Sequence, residues 1–232
     1  MPSKRYKKAL EAVDAKKVYP LKAAVEVLAR FPKAKFNETV DLAFRLGVDP
    51  KQSDQMVRGT VPLPHGSGKT VKVLVFAKSG PSADAAKAAG AEFVGFDDLI
   101  KKCNEGWTDF DVAIATPEAM SEVRKLGKVL GPRGLMPNPK TGTVTDDTAK
   151  AVKEVKAGRV EFKIDKAGNI HVPVGKVSFN PAQLEQNARA VIEAVAKARP
   201  HTAKGEYIHS CTISATMSPP VRIDIKEFAS IR

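Results

Sequence analysis

Only two cysteines, Cys103 and Cys211, occur in 232 residues, and they stand far apart. Neither a disulfide framework nor a cysteine-rich zinc site is supported, and a reducing cytoplasmic compartment is the default expectation. Aromatic residues make up 6% of the chain, with a single Trp. A sheet that reads RNA by stacking bases on aromatic side chains is therefore not indicated. No RNP motif, zinc knuckle or GXXG helix pair is legible either. No apolar run approaches the ~20 residues that a membrane helix requires. The opening MPSKRYKKALEAVDAKK lacks the apolar core of a secretory signal. The four His are scattered, and His209 beside Cys211 reflects alternating strand positions rather than a metal pair. There is no G-x-G-x-x-G and no assembled acid–base set, so no cofactor and no catalytic residue is expected.

Basic residues are in excess: 38 Lys and Arg against 26 Asp and Glu, a net charge of +12. That excess points to a polyanionic partner. Its distribution is uneven. Residues 1–35 carry +7 and residues 161–232 carry +3, so the two ends hold +10 of the +12 and the middle is nearly neutral.

The two ends also differ from the middle in their hydrophobic rhythm. Residues 4–17 read as a basic amphipathic helix, whose Lys and Arg either form a solvated face or touch a polyanion. Pro20 opens a second helix, ended by Phe31-Pro32. Val40, Leu42, Phe44 and Leu46 alternate with Asp41, Ala43 and Arg45, which predicts a half-buried strand. Near the other end, 159–164 and 170–174 flank the turn Lys166–Asn169 and predict a hairpin. Asn180-Pro181 opens a long helix, and strands are expected over 207–217 and 221–225. Between these ends the chain changes character. VKVLVFA at 71–77 is continuously apolar. It is followed by helix 82–89, strand 92–95, helix 96–104, strand 111–115 and helix 117–126, then by helix 145–156 capped by Thr145 or Asp146. Apolar strands alternating with short helices mean parallel βαβ units. The expected fold class is α/β: a discontinuous α+β domain, 1–67 plus 160–232, carrying an inserted Rossmann-like three-layer domain, 68–159. Gly66, Gly68 and Gly158 mark the two crossings and are candidate hinge residues.

His65-Gly-Ser-Gly-Lys-Thr70 suggests a phosphate-binding loop, but Leu63 stands where the first glycine belongs. The segment also precedes a strand instead of opening a helix, and a flexible connector is the better reading. An enzyme binding a nucleotide on the inserted domain is nonetheless the alternative function. The segment Gly127–Val144, GKVLGPRGLMPNPKTGTV, holds four Gly, three Pro and three basic residues with no acid. Its prolines argue against helix and strand alike. An ordered loop is expected, anchored by Val129, Leu130, Leu135 and Met136, with Lys128, Arg133 and Lys140 presented on a glycine-opened surface where a phosphate backbone can lie.

LGPRGLMPNPKTGTV resembles the signature segment of the ribosomal protein L-one family of the large ribosomal subunit. KFNET at 35–39, RGTVPLPHG at 58–66, Gly106-Trp107, Asp109–Asp111, Ala157–Arg159 and Thr216-Met217 fall where that family has similar runs, in order along nearly the whole chain. The resemblance implies a non-catalytic protein, monomeric when free and ribosome-associated in the cytoplasm. It would bind large-subunit rRNA on a mobile stalk near the exit site and assist release of deacylated tRNA. Family members in bacteria also repress their own mRNA through a leader that mimics the rRNA site.

The mode of binding that composition leaves open is shape readout of folded RNA through backbone and 2′-hydroxyl contacts. As a strand, Thr212–Met217 turns Thr212, Ser214 and Thr216 one way, either as a solvated face or as a hydroxyl-rich contact surface. The resemblance assigns Ser214, Thr216, Met217 and Ser218 to the RNA-contacting strand and turn, and Phe36, Glu38 and Thr39 to a partner segment near the first strand. Phe36 equally suits a core, and Glu38 would accept hydrogen bonds from 2′-hydroxyls or base amines. Lys35, Arg5, Lys7 and Lys8 add phosphate screening at the RNA-binding surface. The chain departs from the family at Ser218, where Gly is usual, and at Pro219-Pro220, where Pro-Ser is usual. A side chain at 218 limits close backbone approach.

Overall fold

The alternation around Val40 builds the central strand of the fold. In the computed structural model, which describes residues 3–14, 17–78 and 80–228 but not the side chains of Ser53 and Lys140, strand β1 (Thr39–Leu46) buries Val40, Leu42, Phe44 and Leu46. It lies between β7 (Asn169–Lys176) and β8 (Ile208–Ala215) in an antiparallel sheet ordered β7-β1-β8-β9, with β9 (Val221–Ile223) outermost. Helices α2 (Leu21–Ala29) and α8 (Pro181–Lys197) supply Leu21, Ala24, Val25 and Leu28, and Leu184, Ala188, Val191, Ile192 and Val195, to the same core. Burying each Val, Leu or Ile among them contributes about 1.5–3 kcal/mol. Asn180 and Gln183 start α8 with a reciprocal capping box. Helix α1 (Lys4–Glu11) buries Ala9.

The chain divides into two units, Met1–Gly68 with Gly158–Arg232, and Lys69–Ala157. In the second, β3 (Val73–Phe76) is buried throughout and runs parallel to β4 (Phe93–Gly95) on one side and β5 (Val112–Ala115) on the other. Helices α3 (Pro81–Ala88) and α7 (Thr148–Lys156) cover Val73, Val75 and Ile114. Helices α4 (Asp97–Asn104), α5 (Met120–Val123) and α6 (Gly127–Leu130) lie over Leu74, Phe76, Ala113 and Ala115. These are three layers around a parallel sheet, in keeping with the continuous apolar strands.

Several local expectations give way to tertiary pairing. The strands at 159–164 and 170–174 are not a hairpin. The turn between them closes, with the Asn169 N–H donating to Asp165 Oδ1 at 2.7 Å. Strand β6 (Arg159–Lys163) nevertheless pairs with β2 (Arg58–Pro62), while β7 pairs with β1. Gly59 stands opposite Phe162, whose ring occupies the space a side chain at 59 would need. Helix α1 ends at Glu11, and Ala15 and Lys16 fall outside the described residues. The helix expected over 117–126 is α5 followed by a 3-10 turn, Arg124–Leu126. Helix α7 begins at Thr148 because Asp147, not Thr145 or Asp146, accepts the Lys150 N–H. Residues 127–130, expected as loop, are helical because the first proline comes only at 132 and Leu130 is buried.

The connector at 65–70 is not loose. The Asn187 side chain on α8, fully buried, accepts the His65 N–H at 3.1 Å and donates to the carbonyls of Gly66 at 3.0 Å and Val174 at 2.8 Å. Gly158 packs its Cα directly on Gly66. Gly66 and Gly158 therefore serve close backbone approach here.

Candidate nucleic-acid interface

One end of the four-stranded sheet gathers residues from four separate parts of the chain. Its geometry begins with a bulge: Val40 faces Gly175 and Asp41 faces Pro173, so Val174 is the extra residue on β7. The bulge puts Lys176 opposite Thr39, and its Nζ donates to Thr39 Oγ1 at 2.7 Å. Across β1, the Thr216 N–H donates to the Thr39 carbonyl at 3.0 Å, and the Thr39 N–H donates to Thr216 Oγ1 at 3.1 Å. Thr216 and Thr39 thus clasp the ends of β8 and β1. Asn37 Nδ2 donates to Ser178 Oγ at 3.1 Å, fixing the segment ahead of β1.

Beside this clasp two large apolar side chains stand in solvent, Phe36 at 55% and Met217 at 53% exposure. Of the two readings open for Phe36, the structure excludes the core. Lys35 is also exposed. Exposed apolar side chains over a hydrogen-bonded frame suit a partner that offers base faces and sugar edges. Ser218 turns inward. Its Oγ accepts the Ala215 N–H at 2.8 Å and lies 3.3 Å from the Ala215 carbonyl, so the hydroxyl caps the turn after β8.

Glu38 occupies a different place from the one its sequence suggests. Its side chain is 4% exposed, and Oε1 accepts from Arg5 Nη1 at 2.8 Å and from the Ala34 N–H at 3.0 Å. The carboxylate is spent within the protein and is not presented to a ligand. Arg5 is likewise engaged, whereas Lys7 and Lys8 on α1 are exposed.

Thr212 and Ser214 lie on the sheet face opposite the helices, half-buried, facing Ala43 and Asp41 across β1. Burial there raises the Asp41 carboxyl above its ordinary range, opposed by the nearby positive fields of His171 and Lys176. The native chain thus keeps the Asp41 proton to higher pH than the unfolded chain does. Below the ordinary carboxylate pKa of about 3.9 both states are protonated and the group is neutral in its effect. Above the folded value ionisation opposes folding. Asp41→Asn is therefore expected to raise the denaturant midpoint at pH 7 and to leave it unchanged near about pH 2.5. An equal gain at both pH values would refute this.

The second unit carries the other basic set. Lys128 and Arg133 are exposed, with Arg133 Nη1 bonded to Thr108 Oγ1, and the Lys140 side chain lies outside the described residues. The loop beneath them is ordered by Asn138. Its carbonyl accepts from the Thr141 and Thr143 backbones and hydroxyls, and its N–H donates to Thr143 Oγ1 at 2.8 Å. Leu130 is buried, and Leu135 and Met136 pack beside it. Val129, half-exposed, is not among these anchors. HGSGKT precedes β3 and does not connect a strand to a helix, so it lacks the geometry of a phosphate loop. Among the described residues no cluster of three or more His, Cys, Asp or Glu could hold a metal, and no helix is long and apolar enough to cross a membrane.

Lys176 and Ser178 were not legible as parts of this surface. Their only signal is the bulge that brings them to β1, and that depends on pairing between strands about 130 residues apart in sequence. Compared with known protein families, the chain matches the one described as the ribosomal protein L1p/L10e family over residues 28–219.

Proposed function

This chain belongs to the ribosomal protein L1p/L10e family, and on that premise we propose that the Phe36–Met217 surface is where it grips rRNA. Membership makes it a ribosome-associated protein of the large subunit that binds large-subunit rRNA, in a family of structural rather than catalytic proteins. The finer reading is ours. The rRNA partner is a folded helix junction, met by Lys35, Phe36, Met217 and the Thr39–Thr216 edge, with Lys7 and Lys8 screening phosphates and Thr212 and Ser214 extending the contact. Glu38 and Ser218 hold that surface in shape. The chain acts on the mobile stalk near the exit site and assists release of deacylated tRNA, for which Lys128, Arg133 and Lys140 on the inserted unit are the candidate surface. It also represses its own mRNA through a leader that imitates the rRNA site. It is cytoplasmic and monomeric when free, and the inserted unit turns about Gly68 on binding.

The observation that carries the rRNA site is the pair Phe36 and Met217, both more than half exposed beside a backbone clasp that keeps them from collapsing. A base stacked on an aromatic ring such as Phe36 is worth about 1–3 kcal/mol, and Met217 adds apolar contact beside it. Phe36→Ala with Met217→Ala is expected to weaken binding to a large-subunit junction RNA by about 30-fold or more. The melting temperature should shift by no more than about 2 °C, since little buried area is lost. The measurement is a titration of junction RNA and of plain duplex of matched length at moderate salt. A wild-type protein without preference for the junction would end this reading.

A further inference from the structure

We infer that Arg5 is a positioning residue for the rRNA surface, a clip that ties helix α1 to both chain segments forming it, and not one of the phosphate-screening cations. The inference rests on reading that surface as the RNA interface.

Arg5 Nη1 donates to Glu38 Oε1 at 2.8 Å and lies 3.3 Å from the Pro32 carbonyl. Nη2 donates to the Met217 carbonyl at 3.0 Å. The three acceptors lie 27, 33 and 212 residues away in sequence. One planar fork thus spans the segment before β1, which carries Phe36, and the turn after β8, which carries Met217. Glu38 completes the node. Its carboxylate also takes the Ala34 N–H at 3.0 Å, and its own carbonyl accepts the Val177 N–H at 3.0 Å.

The surroundings of Arg5 suit a clip better than a phosphate contact. A carboxylate that is 4% exposed needs a hydrogen-bonded counter-charge, so Arg5 is held by an internal demand. Its donors, moreover, are divided between two nitrogens of one planar fork, Nη1 toward Glu38 and Pro32 and Nη2 toward Met217, a geometry that a single ammonium nitrogen does not reproduce. Lys4, Lys7 and Lys8 have no such partners among the described hydrogen bonds and ion pairs, and they are exposed. Arg5 sits among them in sequence yet belongs to the frame.

The test is a salt series of junction-RNA titrations on the full chain, for wild type, Arg5→Gln, Glu38→Gln, the double variant, Arg5→Lys and Lys7→Gln. A clip predicts that Arg5→Gln and Glu38→Gln each weaken binding by about tenfold or more, and that the double variant loses little beyond either single one. Their salt slopes stay at the wild-type value, whereas Lys7→Gln lowers the slope by about one. Arg5→Lys recovers only part of the loss. A lowered slope in Arg5→Gln, with a loss that adds in full to that of Glu38→Gln, makes Arg5 a phosphate contact and overturns the inference. So do variants that bind like wild type. Amide exchange in the free protein judges the clip without RNA: Ala34 should exchange faster in Arg5→Gln. If wild type shows no junction preference, the fault lies with the reading of the surface. Unchanged Ala34 exchange would then still overturn the clip.

Discussion

Gly158→Ala is expected to lower the unfolding free energy by about 3–5 kcal/mol, read as a fall in denaturant midpoint at unchanged slope. Gly158 has φ +101°, a region that costs an L-residue of the order of 1–3 kcal/mol. An added Cβ would also lie 2.4 Å from the Gly66 Cα, 2.7 Å from the Ser67 nitrogen and 2.9 Å from the Gly66 carbonyl carbon. All three are backbone atoms, so no rotamer change relieves the contact. The two strands of chain that leave and re-enter the terminal unit must separate, and overpacking of this kind costs roughly 1–3 kcal/mol more. A midpoint within experimental error of wild type would show that the two crossings do not pack as described.

Asn187→Ala should be destabilising by about 3 kcal/mol, and Asn187→Asp by no less. The amide serves three backbone groups at once, the His65 N–H and the carbonyls of Gly66 and Val174. Truncation strands all three, and a stranded buried polar group costs about 1–3 kcal/mol. Aspartate keeps the acceptor for His65 but turns a carboxylate oxygen toward two carbonyls. Asn187→Ala and Gly158→Ala share Gly66 as a neighbour, so their effects should fall short of additivity. An alanine variant that loses under about 0.5 kcal/mol, the range of an ordinary surface substitution, would refute the role given to these three Asn187 hydrogen bonds.

Asn187 shows how a sequence can contain a structural answer without displaying it. Leu184, Ala188, Val191, Ile192 and Val195 mark the buried face of α8 by their spacing. Asn187 falls on that same face, fully buried. A polar residue inside an apolar stripe signals a buried hydrogen-bonding duty. Its partners could not be read, because His65 lies 122 residues away and helical periodicity carries no information about what the face meets. The same holds for Glu38. It stands one position before β1, where a strand end is ordinarily solvated, and its burial follows from the arrival of α1 and Arg5.

What the amino-acid order determined by itself is whatever depends on neighbours within a few residues. The inward face of β1, the parallel βαβ rhythm from Val73 to Ala115 and the Asn180–Gln183 capping box all rest on strand and helix periods or on local hydrogen bonding. The expectation of a split terminal unit and an inserted one rests on the same kind of signal, since a change from alternating to continuous apolar strands marks a change of sheet type. What only the tertiary structure decided is which distant segments share a hydrogen bond or a charge. That covers the separation of β6 from β7 into different sheets, the bulge that delivers Lys176 to Thr39, and the burial of Glu38 under Arg5. It also covers the exposure of Phe36, which local pattern left open between core and surface. These outcomes turn on the competition among many remote partners for the same backbone groups and the same buried space, and no short stretch of chain contains the terms of that competition.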